Sequence, residues 1–201
     1  MKQLFHGIWQ WSWFSQEKQI DFNGLFLAIG EHKILVDPPP LTAEATTLIR
    51  RQGGVDYIVV TNRDHRREAE MCRDEFRCQL WVPDADAGQM DLQPARTFKD
   101  GELLPGGMWT VQLSDQKSPG ESALFIPQGK GTIIVGDALI GKPAGVLSLL
   151  AAEKYADVHK AREGLRRLLK YTFDALLVGD GVSILTGAKQ AVELALKDSP
   201  P

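Results

Sequence analysis

Residues 57–67 have the sequence YIVVTNRDHRR. The first four residues are an uninterrupted apolar run, which predicts a short strand buried on both faces. The polar residues after it stand at the carboxyl end of that strand, which is where open α/β sheets bind their ligands. The stretch therefore predicts a buried sheet with a polar site at its edge.

The neighbouring segments predict a mixed α/β domain. Strands are predicted at 3–14, 22–30, 33–37, 57–60, 79–83, 109–114, 122–126, 132–136 and 175–178, and helices at 42–51, 66–76, 156–171 and 188–196. The strands come first, then alternate with helices, then return before a final helix–strand–helix. Two mixed sheets between helical layers would bury all of these apolar faces in one domain, residues 1–201.

Composition excludes several classes of protein. The 23 basic and 26 acidic residues are interspersed, so nothing favours a nucleic-acid partner or an anionic membrane. No segment approaches the roughly 18 consecutive apolar residues of a membrane span, and the N-terminus does not resemble a signal peptide, so a cytoplasmic location is expected. Cys72 and Cys78 fit neither a disulfide framework nor a metal knuckle, which predicts free thiols.

Five segments carry a family resemblance. They are LVDP at 35–38, VVTNRDH at 59–65, KSPG at 117–120, VGDAL at 135–139 and VGDG at 178–181. Their order resembles the metallo-β-lactamase superfamily along almost the whole chain. The resemblance implies a four-layer αββα sandwich and a metal-dependent hydrolase that acts on an ester, thioester, amide or phosphoester.

The metal ligands of that family are mostly replaced. The family motifs are T-H-x-H-x-D-H, G-H-T-P-G, G-D-x-L and G-H-G. Overlaying them puts other side chains on the ligand positions: Asn62, Asp64, Arg66, Arg67, Lys117 and Asp180. Only Asp137 matches the family in type, as the metal-bridging carboxylate. A second frame, with two residues deleted, matches Asp64 and His65 to the family's D-H pair.

Two interpretations of this altered site remain open. Asn62, Asp64, Asp137 and Asp180 could form a cluster of oxygen donors, with the three aspartates as ligands of magnesium or manganese rather than zinc. Alternatively, Lys117 pairs with Asp137 and Asp180 and replaces the metal. The protein would then be metal-free and non-catalytic, and would bind a small molecule or a protein partner.

A third interpretation is chemistry without a metal, so the sequence leaves open whether the protein is an enzyme. A desolvated lysine or a carboxylate with a raised pKa would act as nucleophile or base, which makes Asp64, Lys117, Asp137 and Asp180 the candidate catalytic residues.

The candidate binding residues are Asp37, Asn62, His65 and Arg66. The resemblance implies that Asp37 supports the loop 61–65. Arg63, Arg66 and Arg67 fit an anion site or a solvated face.

The remaining aromatic and imidazole side chains favour structural roles. Trp9, Trp11 and Trp13 are expected to share one strand face with Phe5, where they would pack on the sandwich, cover the pocket mouth or form a homodimer contact. His6, His32 and His159 lie outside the motifs and are expected to be surface or structural residues.

Overall fold

The first sheet of the computed structural model, which describes residues 1–197, has seven strands. In spatial order they are β1 (Lys2–Phe5), β2 (Ile8–Ser15), β3 (Ile20–Ile29), β4 (His32–Val36), β5 (Tyr57–Val59), β6 (Gln79–Pro83) and β7 (Arg96–Phe98). The strands β1 to β4 pair antiparallel, and β4 to β7 pair parallel. The strands of this sheet therefore lie side by side in the same order as in the sequence.

The second sheet has five strands. They are β8 (Leu103–Leu104), β9 (Met108–Gln112), β10 (Ser122–Ile126), β11 (Thr132–Val135) and β12 (Ala175–Val178), in the spatial order β12-β11-β10-β9-β8. Only the β11–β12 pair is parallel. Both β5 and β11 run into a polar segment at their carboxyl ends, as does β12.

Within residues 1–197, five α-helices cover the outer faces of the two sheets. They are α1 (Ala43–Arg51), α2 (Ala69–Phe76), α3 (Asp84–Ala87), α4 (Val158–Leu165) and α5 (Ala188–Ala195). Ile49 of α1 and Cys72 of α2 pack in one core with the first sheet, while Leu165 of α4 and Val192 of α5 pack in another with the second. A third core lies between the sheets. Three cores between four layers confirm the predicted αββα sandwich.

Strand β11 shows why the central strands of the sandwich are apolar along their whole length. Successive side chains of a strand point to opposite faces of the sheet. Ile133 and Val135 accordingly pack against the helical layer, while Ile134 packs between the sheets. Both faces are therefore dry, which explains the unbroken apolar runs of the sequence.

The prediction of one strand over 3–14 is wrong. A tight turn at His6 and Gly7 divides the segment into β1 and β2, and Gly7 has a φ of 75° with its carbonyl accepting a hydrogen bond from the Ala28 amide. As a result Phe5 packs against the core between the sheets, whereas Trp11 is buried on the helix-covered face. Trp9 packs on that same helix-side core, and Trp13 is 42% exposed.

Two helices are shorter than predicted. The expected helix 66–76 is a 3₁₀ turn, Arg63–Arg66, followed by α2, because Arg67 breaks the helix with a φ of 37°. The expected helix 156–171 is α4 followed by a 3₁₀ turn, Arg166–Lys170. The short elements α3, β7 and β8 were not predicted, since two to four residues carry too little periodicity.

Three further observations complete the fold. Both cysteines are free, as predicted. Within residues 1–197, no helix combines the length and apolar character that crossing a membrane requires. The last four residues, 198–201, which the single-domain prediction includes, lie outside the described part of the chain.

Candidate active-site pocket

The candidate site is a cavity of about 430 Å³ at one end of the sandwich. It collects side chains from segments that are distant in sequence. Asp64, His65 and Arg67 follow β5, Lys117 lies between β9 and β10, and the last two polar residues, Asp137 and Asp180, follow β11 and β12. The parallel strands thus deliver these side chains to a single edge, as the sequence predicts.

Asn62 shapes the loop that follows β5. Its backbone is extended, and its side-chain oxygen accepts hydrogen bonds from the amides of Asp64 at 2.8 Å and His65 at 3.1 Å. This is N-capping of the 3₁₀ turn, which an asparagine oxygen does well. The oxygen that one interpretation placed in a cluster of metal donors is therefore engaged by the backbone.

Asp37 supports the same loop from β4. This buried carboxylate accepts hydrogen bonds from the Thr61 amide at 2.8 Å, from the Thr61 hydroxyl at 2.6 Å and from Nδ1 of His65 at 2.9 Å. Asp37 itself has a φ of 48°, a conformation that aspartate tolerates better than most residues. The geometry matches the supporting role that the resemblance implies.

His65 lies at the centre of the pocket floor. Its Nε2 is 3.5 Å from Oδ1 of Asp137. A Cβ on Gly179 would stand 2.4 Å from Cε1 of His65, so the imidazole fits only because that position is glycine. Burial and Arg67 lower the pKa of His65, but Asp37 and Asp137 outweigh them and raise the pKa to about 10. The ring is therefore an imidazolium cation near neutral pH.

We expect His65 to remain charged through the neutral range. A pKa of about 10 in the folded state, against about 6.5 in an unfolded chain, stabilises the fold fully below about pH 6.5. That contribution is lost as the pH rises through the folded value. The ring nitrogens of His65 in two-dimensional ¹⁵N NMR should keep imidazolium shifts up to about pH 9, with the exposed His6 as the reference signal. Shifts that change between about pH 6 and 8 would show a neutral ring.

Lys117 bridges two carboxylates of the pocket. Its Nζ lies 2.7 Å from Oδ2 of Asp137 and 3.0 Å from Oδ2 of Asp64. Burial alone would lower the pKa of Lys117, but these two partners raise it. Burial likewise raises the pKa of Asp137, and the charges of His65 and Lys117 reverse the effect and lower it. The expected pairing of Lys117 with Asp180 is wrong, because Asp64 takes that place.

Asp180 pairs with Arg67 instead. The guanidinium Nη2 is 2.5 Å from Oδ1 of Asp180, and only 8% of the Arg67 side chain is exposed. The same guanidinium donates to the carbonyls of Asn23, Asp37 and Gly179 at 2.9, 3.2 and 3.2 Å. It also lies 4.6 Å from the centre of the Phe22 ring. Arg67 is thus a fixed structural cation and not part of a solvated face.

Asn23 ties the two sheets together beside this pair. Its backbone amide donates to the Gly179 carbonyl at 2.7 Å. Its side-chain Nδ2 donates to the carbonyls of Val178 at 2.9 Å and Gly181 at 2.7 Å. Asn23 belongs to β3 of the first sheet, whereas its partners belong to or follow β12 of the second. Direct hydrogen bonds therefore join the two sheets at the pocket end of the sandwich.

Glu121 is a fully buried carboxyl beneath the pocket. One oxygen accepts a hydrogen bond from the Ala138 amide at 3.0 Å, while its Oε2 and the side-chain nitrogen of Asn62 have no hydrogen-bond partner among the described residues. Burial, followed by the charge of Asp137, raises the pKa of Glu121 well above its usual range. Glu121 therefore takes up a proton more readily than an exposed glutamate does.

Arg66, a candidate binding residue, lies outside the pocket. It is exposed, donates to the Asp91 carbonyl at 3.3 Å and lines a separate cleft that Arg63 also borders. The helix breaks at Arg67, after which the Arg67 side chain is buried against Asp180, whereas Arg66 stays exposed. Arg63, Arg66 and Arg67, for which an anion site or a solvated face was open, do not come together, because Arg67 lies in the other pocket.

The donor set does not fit a dinuclear zinc centre. Ligand atoms of His65, Asp137 and Asp180 lie within 4.8 Å of one another, which is the one such group of three among the described residues. A catalytic zinc usually has imidazole or thiolate ligands in the majority. Here Lys117 and Arg67 place two fixed cations against the same carboxylates. A metal ion at these oxygens would have to displace them.

Sequence reasoning missed three residues that build the site: Arg67 as a buried cation, Asn23 and Glu121. For Arg67 a signal existed, since an arginine on one ligand position and an acid on another indicate a reciprocal pair. Asn23 and Glu121 had none, because their roles depend on contacts between segments about 155 and 17 residues apart. The second frame was informative, since it brought His65 close to Asp137.

Comparison with known proteins gives one family over nearly the whole chain. Residues 1–197 match a family model described as the metallo-beta-lactamase superfamily. No curated protein matches the sequence significantly. The sequence-based family resemblance is confirmed.

Solved structures give the same answer for the fold. A metallo-beta-lactamase from Pontibacter korlensis superposes with a TM-score of 0.76 at 14% identity, covering 98% of both chains. One from Erythrobacter litoralis gives 0.71 at 16% identity, covering 97% of this chain and 89% of that one. A metallo-beta-lactamase family protein from Thermus thermophilus gives 0.71 at 14% identity, covering 96% and 79%. Identities this low establish the fold and not the activity.

Proposed function

The chain belongs to the metallo-β-lactamase superfamily, and from this membership and its ion pairs we propose that its pocket binds a small molecule without a metal centre. One observation carries the proposal. The three aspartates that border the pocket already pair with side-chain cations, Asp64 and Asp137 with Lys117, and Asp180 with Arg67. A buried carboxylate needs a cation, and here the chain itself supplies it.

The walls and rim of the pocket indicate the chemistry of its ligand. Ile20, Phe22, Ile140 and Leu150 form apolar walls. The rim carries Lys142 and Lys154 and also Lys18, which pairs with Glu17, whereas the acids of the floor are neutralised. An amphipathic small molecule with an anionic group would therefore match both the walls and the rim.

The ionisation states of the pocket argue against catalysis by its cations. The raised pKa of Lys117 keeps the ammonium protonated, which removes the lone pair that a nucleophile requires. His65 is an imidazolium with a pKa of about 10 and cannot accept a proton as a general base. The carboxylates remain as candidate bases; Asp180, whose pKa burial raises, is held by Arg67, and Asp64 and Asp137 are held by Lys117.

A metal-dependent hydrolase is the second candidate function. It is favoured by the convergence of His65, Asp137 and Asp180, whose two carboxylates suit magnesium or manganese better than zinc. It requires Arg67 and Lys117 to release those carboxylates when the metal binds. The substrate class would be the ester, thioester, amide or phosphoester that the superfamily resemblance implies.

Metal analysis separates the two candidates. We expect the protein, purified without chelator or affinity tag, to contain far less than one equivalent of any divalent metal per chain. We also expect magnesium, manganese and zinc at millimolar concentrations to leave the melting temperature unchanged, because an ion that does not bind the native state cannot stabilise it. Mass-spectrometric metal quantification and thermal melts measure both.

The control is a variant that lacks both convergent carboxylates, Asp137→Ala with Asp180→Ala. A stoichiometric metal, or a rise in melting temperature that the native protein shows and this variant lacks, would overturn the metal-free proposal. The identity of the metal would then distinguish an oxygen-donor site from a zinc site.

A further inference from the structure

A second and larger cavity opens at the opposite end of the sandwich. Its volume is about 650 Å³, within the range of small-molecule binding sites. It is lined by the last residues of β3 and β10 and by the first residues of β11 and β12. The candidate active-site pocket lies beyond the other end of β11 and β12, so about 13 Å of strand separates the two cavities.

The wall of this end cavity is continuous with the core between the sheets. Ile8 and Ile126 belong to that core, and Phe5, Ile29 and Leu185 pack against it while remaining partly exposed. The apolar packing between the sheets therefore ends in an open hollow and not in a cap of polar side chains. Binding of an apolar molecule in such a concave site removes this apolar surface from water, which favours binding.

Hydrogen-bonded turns fix the mouth of the cavity on both sides. On the first sheet, the turn at Gly7 is tied to Ala28, and a Cβ on Gly7 would stand 2.5 Å from the Ala28 carbonyl oxygen. On the second sheet, Asp174 donates its amide to the Gly131 carbonyl at 3.0 Å and accepts from the Gly187 amide at 2.7 Å. Hydrogen bonds thus fix the backbone at the mouth of the cavity before any ligand binds.

Charges at the mouth balance. Lys130 and Asp174 pair across 3.5 Å, and both border the opening. The polar groups of His6 and Gln128 lie near them. The mouth therefore offers hydrogen-bonding groups without a net charge, which distinguishes it from the lysine rim of the other pocket.

We propose that this end cavity is a second binding site, which takes a small, uncharged and mainly apolar molecule. The apolar wall receives the body of the ligand, and a hydrogen-bonding group of the ligand faces the mouth. This site is independent of the proposed function of the active-site pocket, since the two cavities share no residue.

The test uses the neutral fluorescent probe N-phenyl-1-naphthylamine with the full-length protein. We expect saturable binding of one probe per chain, with a Kd on the order of ten micromolar. Leu185→Trp, which fills the hollow from a loop, should weaken binding at least tenfold, whereas Leu185→Ala, which enlarges it, should stay within about threefold of the native protein. Ile20→Trp in the active-site pocket is the matched control and should leave probe binding unchanged.

A second measurement uses only the native protein, so it does not require any variant to fold. In ¹⁵N NMR of the native protein, the probe should shift the amides of Gly30, Gly129 and Gly131 at the mouth and leave Gly141 at the other end unmoved. Absence of saturable binding, loss of binding in Ile20→Trp instead of Leu185→Trp, or shifts confined to the active-site pocket would each overturn the proposal. So would a native dimer on gel filtration that Leu185→Trp converts to a monomer, since a second copy would then occupy the hollow.

Discussion

Replacing Arg67 with methionine is expected to lower the free energy of unfolding by about 3–5 kcal/mol. Methionine keeps an apolar stem against Phe22 but removes every hydrogen bond of the guanidinium. Asp180, 13% exposed, loses its cation, and three backbone carbonyls lose a donor. Removing one partner of a buried pair costs more than the pair is worth, because the remaining charge stays desolvated. Urea denaturation followed by circular dichroism measures the loss.

The neighbouring arginine provides the matched control. Arg66 is exposed and makes a single 3.3 Å hydrogen bond to the Asp91 carbonyl, so Arg66→Met should change stability by less than about 0.5 kcal/mol. Arg67→Lys should restore only part of the loss, since an ammonium cannot reach a carboxylate and several carbonyls in one plane. Equal, small effects at positions 66 and 67 would contradict the buried arginine described above.

The second large effect is expected for Lys117→Ala, which should cost on the order of 3–5 kcal/mol near neutral pH by leaving Asp137 without its nearest cation. Asp137 has a lowered pKa in the folded state, so its contribution is present above about pH 4 and is lost as the pH falls through the folded value. The difference between native protein and variant should therefore shrink in acid. The raised pKa of Lys117 keeps the pair intact until well into the alkaline range. Urea denaturation at several pH values measures the difference.

Two further variants test whether the pair itself is responsible. Lys154→Ala removes an exposed lysine from the rim of the same pocket and should change stability by less than about 0.5 kcal/mol. In a double-mutant cycle, Asp137→Asn should cost less in the Lys117→Ala background than in the native protein. Additive costs, or a loss at Lys117 that does not depend on pH, would show that the two side chains do not interact.

Most of the fold could be predicted from local patterns. The strands at 79–83, 122–126 and 175–178 were predicted with the bounds that the structure shows, because long apolar runs between turn residues define them. The errors fall where backbone geometry outweighs side-chain pattern. The alternating aromatics at 3–14 concealed a turn at Gly7, and the polar run before α2 concealed the helix break at Arg67.

The candidate site was predictable only in part, and the reason is physical. Motif order brought Asp64, Lys117, Asp137 and Asp180 to one pocket, since the ends of parallel strands meet at one edge. The choice of partner could not be derived in the same way. Whether Lys117 bridges to Asp64 or to Asp180 depends on distances of a few ångströms between loops, and on Arg67 having already taken Asp180. Spacing along the chain carries no such information.

Four residues frame the pocket and fix the backbone around the loop after β5. Asp37, Thr61, Gly136 and Gly179 retain the loop geometry, and a Cβ on Gly136 would collide with the Thr61 hydroxyl at 2.3 Å. The family match covers residues 1–197 and so includes this frame. Activity depends on the side chains within this frame, and here two of them are the cations Arg67 and Lys117.

The hydrogen bonds of Asn23 also determine how a ligand could come and go. Because this residue fastens β3 to Val178 and Gly181, the two sheets cannot part at the pocket to admit a molecule. The path from solvent is then the exposed rim that Lys18, Lys142 and Lys154 border. Rates of association and release would be set by small rotations of these side chains and of the loop before β3, while the scaffold beneath them stays still.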